Sequence, residues 1–149
     1  MTIVTTFLWF DHGAEEAAVF YTGLIPGSEI TEIARNADGS AFVVSLVLAG
    51  HTVSLLNGGP DHPLSEAASL QVLVDTQDEV DRLWDALTSD GGAPGPCGWL
   101  VDRYGLSWQI IPTTLPELMS GERAAAVGDA LRGMSKIDIQ GLRDAHDQP

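Results

Sequence analysis

Basic residues are scarce in this chain of 149 residues: seven Lys and Arg stand against 21 Asp and Glu, for a formal charge of −14. That charge repels a nucleic-acid backbone and an anionic membrane alike, so neither is expected as a partner. A solvated acidic surface accounts for it. Cysteine is nearly absent, and the single Cys97 excludes an intramolecular disulfide and fits a reducing cytoplasm. No apolar run approaches the roughly 20 residues of a membrane span. Met1-Thr2-Ile3-Val4 lacks the basic start of a signal peptide, which again points to a cytoplasmic location. Paired-cysteine, phosphate-loop and Ser-His-Asp patterns are missing too.

What the chain does have is apolar residues, 44% of the total, enough to bury a sizeable core in one domain. The stretch from Cys97 to Pro112 reads as strand, tight turn, strand. Leu100 and Val101 close the first run, Gly105 supplies a positive φ in the turn, and Ser107 to Ile111 form the second run before Pro112 stops it. Upstream, Val4 to Phe10 is a β-branched and aromatic strand. Asp11 stands where a cap would, and Ala14 to Tyr21 is a helix with acids in its first turn. Glu29 to Arg35, Ala41 to Leu48 and His51 to Leu56 are three further strands, and the run from Asn57 to Pro63 breaks regular structure.

The second half repeats the order. Leu70 to Val74 is a strand, and Thr76-Gln77-Asp78-Glu79 has the capping-box pattern of a helix carrying Val80, Leu83, Trp84 and Leu87. A 64-residue shift superposes Asp11 on Asp75, Val19 on Leu83 and Phe20 on Trp84, and a 55-residue shift superposes Ser54 on Gln109. Together these indicate an internal duplication. The expected layout is paired β-α-β-β-β modules over 1–113 (1–57 and 68–113, linker 58–67), forming one domain, with a helical extension over 114–149. In that tail 115–119, 122–134 and 137–145 are helical, with Leu118, Met119, Leu131, Met134, Ile137, Ile139 and Leu142 on an apolar side that packs on the domain or on a second subunit.

Two such modules whose sheets join into a cupped mixed sheet resemble the vicinal oxygen chelate superfamily of glyoxalases and bleomycin-resistance proteins, and within it the PhnB-like branch. The matching runs are Phe7-Leu8-Trp9-Phe10-Asp11, Ala14-Glu15-Glu16-Ala17, Phe20-Tyr21, Asn57-Gly58-Gly59-Pro60, Asp75 to Asp81 with Trp84, Cys97 to Leu100, Asp102 to Gln109 and, in the tail, Met134 to Ile139. The resemblance implies an α+β fold of the glyoxalase/bleomycin resistance type and a homodimer. Some members of the branch carry a demethylubiquinone methyltransferase label, yet the chain has no glycine-rich strand-to-helix loop for S-adenosylmethionine.

The superfamily holds a divalent metal by His, Glu or Gln from four equivalent strand positions. Here those positions carry Thr5 (or Thr6), Ser54, Ser69 and Gln109, of which only Gln109 is a credible ligand. No cofactor is therefore expected; if a divalent metal is bound, Gln109 and His62 are its first candidate ligands. The expected ligand pocket comprises Thr5, Phe7, Trp9, Ser54, Ser69, Gln71, Ser107 and Gln109, with Thr52, Leu73 and Ile111 in the same phase. Trp108 is out of phase and belongs under a helix. Cys97 is expected to be a small buried residue, and a local ion pair explains Asp102 and Arg103. Three readings stay open: a small-molecule binder of the sequestering type, a metal-free enzyme that positions a reactant, and a metal-dependent lyase, isomerase or dioxygenase.

Overall fold

Residues 1–148 are described by a computed structural model, whose contacts divide the chain into two units, Met1–Leu64 and one beginning at Ser65. The first unit contains β1 (Thr6–Phe10), α1 (Ala14–Leu24), β2 (Glu29–Arg35), β3 (Ala41–Leu48) and β4 (His51–Asn57). The second contains β5 (Leu70–Val74), α2 (Gln77–Thr88), β6 (Ala93–Pro94), β7 (Trp99–Val101) and β8 (Ser107–Pro112), then α3 (Thr114–Met119), α4 (Ala124–Arg132) and α5 (Ile139–Asp147). Among the described residues no helix is long and apolar enough to cross a membrane.

Both units build the same sheet. The strand orders are β1-β4-β3-β2 and β5-β8-β7-β6, each with one parallel pair (β1 with β4, β5 with β8) and otherwise antiparallel neighbours. The ladders pair Phe7 with Ser54 and Gln71 with Gln109, so the 64- and 55-residue strand shifts carry one pair onto the other. The duplication is thus written in the topology and the register.

The helices follow a different offset. Ala14, Ala17, Ala18 and Tyr21 are the buried positions of α1, and Val80, Leu83, Trp84 and Leu87, each 66 residues on, are those of α2. Ala18, rather than Phe20, is the counterpart of Trp84, and Val19, set opposite buried Leu83 by the strand shift, is 59% exposed. The cause lies at the helix starts: α1 buries its first residue, whereas the first buried residue of α2 is its fourth. Alanines on α1 let that helix lie close to the large side chains beneath it, Phe10, Leu46 and Leu55, all nearly fully buried.

Several boundaries move from their sequence-based places. The first strand begins at Thr6 rather than Val4, leaving Thr5 exposed ahead of it. Asp11 does not cap α1; Gly13 is the cap residue, and the Ala14 amide donates to Asn57 Oδ1 at 2.9 Å. The capping box at Thr76 and Glu79 forms as expected. Strand β6, which the repeated β-α-β-β-β order requires after α2, is only two residues long and contains a proline, tolerable there because β6 is an edge strand.

The tail packs on its own unit. Ile111, Leu115, Val127, Ile137 and Leu142 form a buried cluster, with Leu118, Leu131 and Met134 against it. Met119, assigned to the apolar side, is instead 40% exposed. Backbone bonds fasten the segment between α4 and α5 to the approach to β7: Cys97 N to Met134 O and Gly98 N to Ser135 O, both 2.8 Å. Gln77 bridges to it as well, donating to Ile137 O at 3.0 Å and accepting from Ile139 N at 2.8 Å.

Candidate functional site

Alternation along the central strands gives each sheet one face under its helix and one face away from it. In the first unit Leu8, Phe10, Val53 and Leu55 are buried, while Phe7, Trp9 and Ser54 point the other way. Phe7 is 59% exposed there. Ser54 shares a hydroxyl–hydroxyl hydrogen bond of 3.3 Å with Ser45 across the ladder. Trp9 is held at both ends of its ring: Nε1 donates to Gly59 O at 2.9 Å, and His62 stands edge-on with centroids 4.7 Å apart. His62 is therefore a packing partner of Trp9 in this unit. Thr5 makes no part of the strand, and its neighbour Thr6 bonds His51 Nε2 at 2.8 Å instead.

In the second unit three predicted residues come together. Gln71 Nε2 donates to Gln109 Oε1 at 3.3 Å, and Gln109 Nε2 donates to Ser69 Oγ at 2.8 Å. The result is a short polar row across β5 and β8 with the Gln109 amide engaged at both ends. Two expected pocket residues take other places. Ser107 is 1% exposed and its hydroxyl has no hydrogen-bond partner among the described residues, and Ile111 is built into the tail cluster. Trp108, as expected, lies buried where β8 packs on α2.

The row continues into β7, where Trp99 is the ladder partner of Gln109. Trp99 also lines a cavity of about 400 Å³ with Glu66 and residues 93–97, 100 and 101. This volume is in the range of small-molecule sites. None of the eight predicted pocket residues lines it. The hairpin was legible as a candidate pocket floor, but Glu66 and the wall at 93–97 were not, because they come from an irregular segment and a two-residue strand with no periodicity. Cys97 is half-buried in that wall.

The turn that carries the hairpin is fixed by a buried carboxylate. Asp102 Oδ1 accepts from Tyr104 N (2.8 Å) and Leu106 N (3.1 Å), and Oδ2 accepts from Trp108 Nε1 at 2.9 Å. Arg103 reaches away from the turn to Asp90 (3.2 Å) and Ser89 Oγ (2.8 Å).

As metal donors, the four equivalent positions offer three hydroxyls and one amide. Ser54, Ser69 and Gln109 are already hydrogen-bonded to one another or to neighbours within their own units. Among the described residues no group of three His, Cys, Asp or Glu side chains is placed to hold an ion. Without carboxylate or imidazole, this donor set does not fit a catalytic divalent metal. Nor do the strand-to-helix connections, at Asp11-His12-Gly13, Asp75-Thr76 and Thr113, form a glycine-rich loop for a nucleotide cofactor.

Comparison with known proteins places these features. The family described as 3-demethylubiquinone-9 3-methyltransferase matches residues 2–111, leaving α3 to α5 beyond the match. A PhnB protein from Bacillus cereus with the same methyltransferase description is 32% identical, with a TM-score of 0.67 over 75% of this chain and 100% of that one. At the level of fold, a protein from Pseudomonas aeruginosa aligns at 20% identity and TM-score 0.64, over 75% of this chain and 98% of that one. The fosfomycin resistance protein FosX from Mesorhizobium loti aligns at 12% and 0.58, over 80% and 98%. No functionally curated protein matches the chain.

Proposed function

Since the chain belongs to the PhnB-like family, within the vicinal oxygen chelate superfamily, we propose that it is a small-molecule-binding protein that works without a catalytic metal. The observation that carries this reading is the cavity of about 400 Å³ lined by Trp99 with Pro94, Pro96, Leu100, Val101 and Glu66. A largely apolar wall with one aromatic ring and one carboxylate is the make-up of a site that holds an organic molecule and fixes its orientation. The same groups serve either outcome, holding the ligand or orienting it for a metal-free reaction. The family's methyltransferase description does not extend to this proposal, because the chain lacks a loop for the methyl donor.

The test is metal analysis joined to ligand binding. Protein purified without added metal is expected to contain far less than one equivalent of zinc, iron, nickel or manganese, and chelator should leave its melting temperature unchanged. Trp99→Ala should weaken a cavity ligand, because it removes the largest apolar side chain of the lining. Stoichiometric tightly bound metal, or a large loss of melting temperature with chelator, would overturn the proposal in favour of a metal-dependent glyoxalase-like lyase, isomerase or dioxygenase.

A further inference from the structure

The cavity carries one formal charge in its lining. Glu66 is exposed, and its carboxylate has neither an ion pair nor a hydrogen bond from any described residue. No Lys, Arg or His lines the cavity beside it. The remaining wall is Trp99, half-buried, with Pro94, Pro96, Leu100 and Val101. We infer that this site selects planar organic cations, the ring lying against Trp99 and the positive charge facing Glu66; the inference rests on the proposal that the cavity is the ligand site.

The choice follows from how each ligand class meets that lining. An anion entering the cavity meets Glu66 with nothing to offset it, inside the field of a chain whose formal charge is −14. A neutral ring gains the apolar wall, yet it covers part of a carboxylate that has no partner and strips water from it. A cation keeps the apolar contact, supplies the missing partner, and is attracted to an indole face in addition. An aliphatic ammonium ion would satisfy Glu66 but leave the apolar wall wet. Flat aromatic cations of two or three fused rings satisfy both.

The experiment measures binding at pH 8 of three probes of similar shape: 9-aminoacridine (cation), acridine (neutral) and 9-anthracenecarboxylate (anion). The native chain is expected to bind the cation about threefold more tightly than acridine, within the range an exposed charge pair gives, and the anion most weakly. The cation's advantage should shrink as salt is added. Glu66→Gln should erase most of that preference while leaving acridine unchanged. Trp99→Ala should weaken cation and neutral ring together, and Trp99→Phe, which keeps a ring in the wall, should recover much of the loss. If Glu66→Gln leaves the preference intact, or the anion binds as well as the cation, the cation assignment is overturned while Trp99-dependent acridine binding keeps the cavity as the site. If neither Trp99 variant alters the binding of any probe, the cavity reading and the inference fall together.

Discussion

A methyl group added at position 58 would lie 2.3 Å from the indole of Trp9, far inside contact distance. The loop after β4 closes over Trp9 only because residue 58 has no side chain, and Trp9 in turn anchors Gly59 and His62. Gly58→Ala should therefore expel the ring rather than unfold the unit, since Trp9 lies on the face away from α1. The expected readout is a red-shifted, more quenchable tryptophan emission with a melting temperature within a few degrees of the native chain. Asp102 is the contrasting residue, because its carboxylate satisfies two amides and a buried indole N–H at once. Asp102→Ala should cost about 2–4 kcal/mol in denaturant unfolding, since several buried donors lose a charged acceptor. Asp102→Asn should cost less. The sequence marked both sites as turns, but the indole partner was legible at neither, because nothing in local spacing says that Trp9 sits over Gly58 or that Trp108 turns back to Asp102.

At the scale of the element, the link between α2 and the tail depends on charge state. Hydrogen bonding from Gln77, and then from Lys136, holds the Asp81 carboxyl below its ordinary value of 3.8. Asp81, in turn, raises the Lys136 ammonium above its ordinary 10.5. The Asp81 contribution is thus present above its unfolded value and lost as pH falls through the lowered one. The Lys136 contribution is present below its unfolded value and lost as pH rises through the raised one. The melting-temperature difference between the native chain and Lys136→Met should be small but measurable at neutral pH, because the 3.0 Å pair is partly solvated. It should be lost as pH falls through the lowered Asp81 value, below 3.8, and as pH rises through the raised Lys136 value, above 10.5. The helix containing Asp81 was legible from its capping box and apolar spacing. The partner 55 residues later was not, since an ion pair of this kind leaves no periodic trace.

For the whole molecule, the repeated topology was the most legible property, and the reason is physical. Strand alternation and ladder register are set by a period of two residues, so equivalent faces stay in phase across the duplication. Helix faces obey a period of 3.6, and an offset of two residues turns them far enough to exchange buried for exposed. That is why Ser54 and Gln109 were correctly matched while Phe20 and Trp84 were not. A homodimer remains the expected assembly, since β2 and β6 are open sheet edges within their units and Ile3, Val4, Phe7 and Leu73 are exposed. Tail exchange is not needed for it, as the tail's apolar side is already buried at home. Sedimentation should give about twice the 15.8 kDa chain mass at micromolar concentration, and a single species at chain mass would refute the expectation.

Those tail contacts also set an order of events during synthesis. Every residue of the first unit has been made once Leu64 is in place, so its sheet and helix close from local material. The second unit waits, because its core draws on Leu142 and the amides before β7 find their acceptors only at Met134 and Ser135. At ribosomal rates of roughly 5–20 residues per second, β5 to β8 emerge several seconds before their cover. Throughout that interval Ile111 and the unpaired amides of Cys97 and Gly98 are open to the surroundings. A nascent chain stalled within α4 should accordingly be cleaved by protease in its second half and resist in its first.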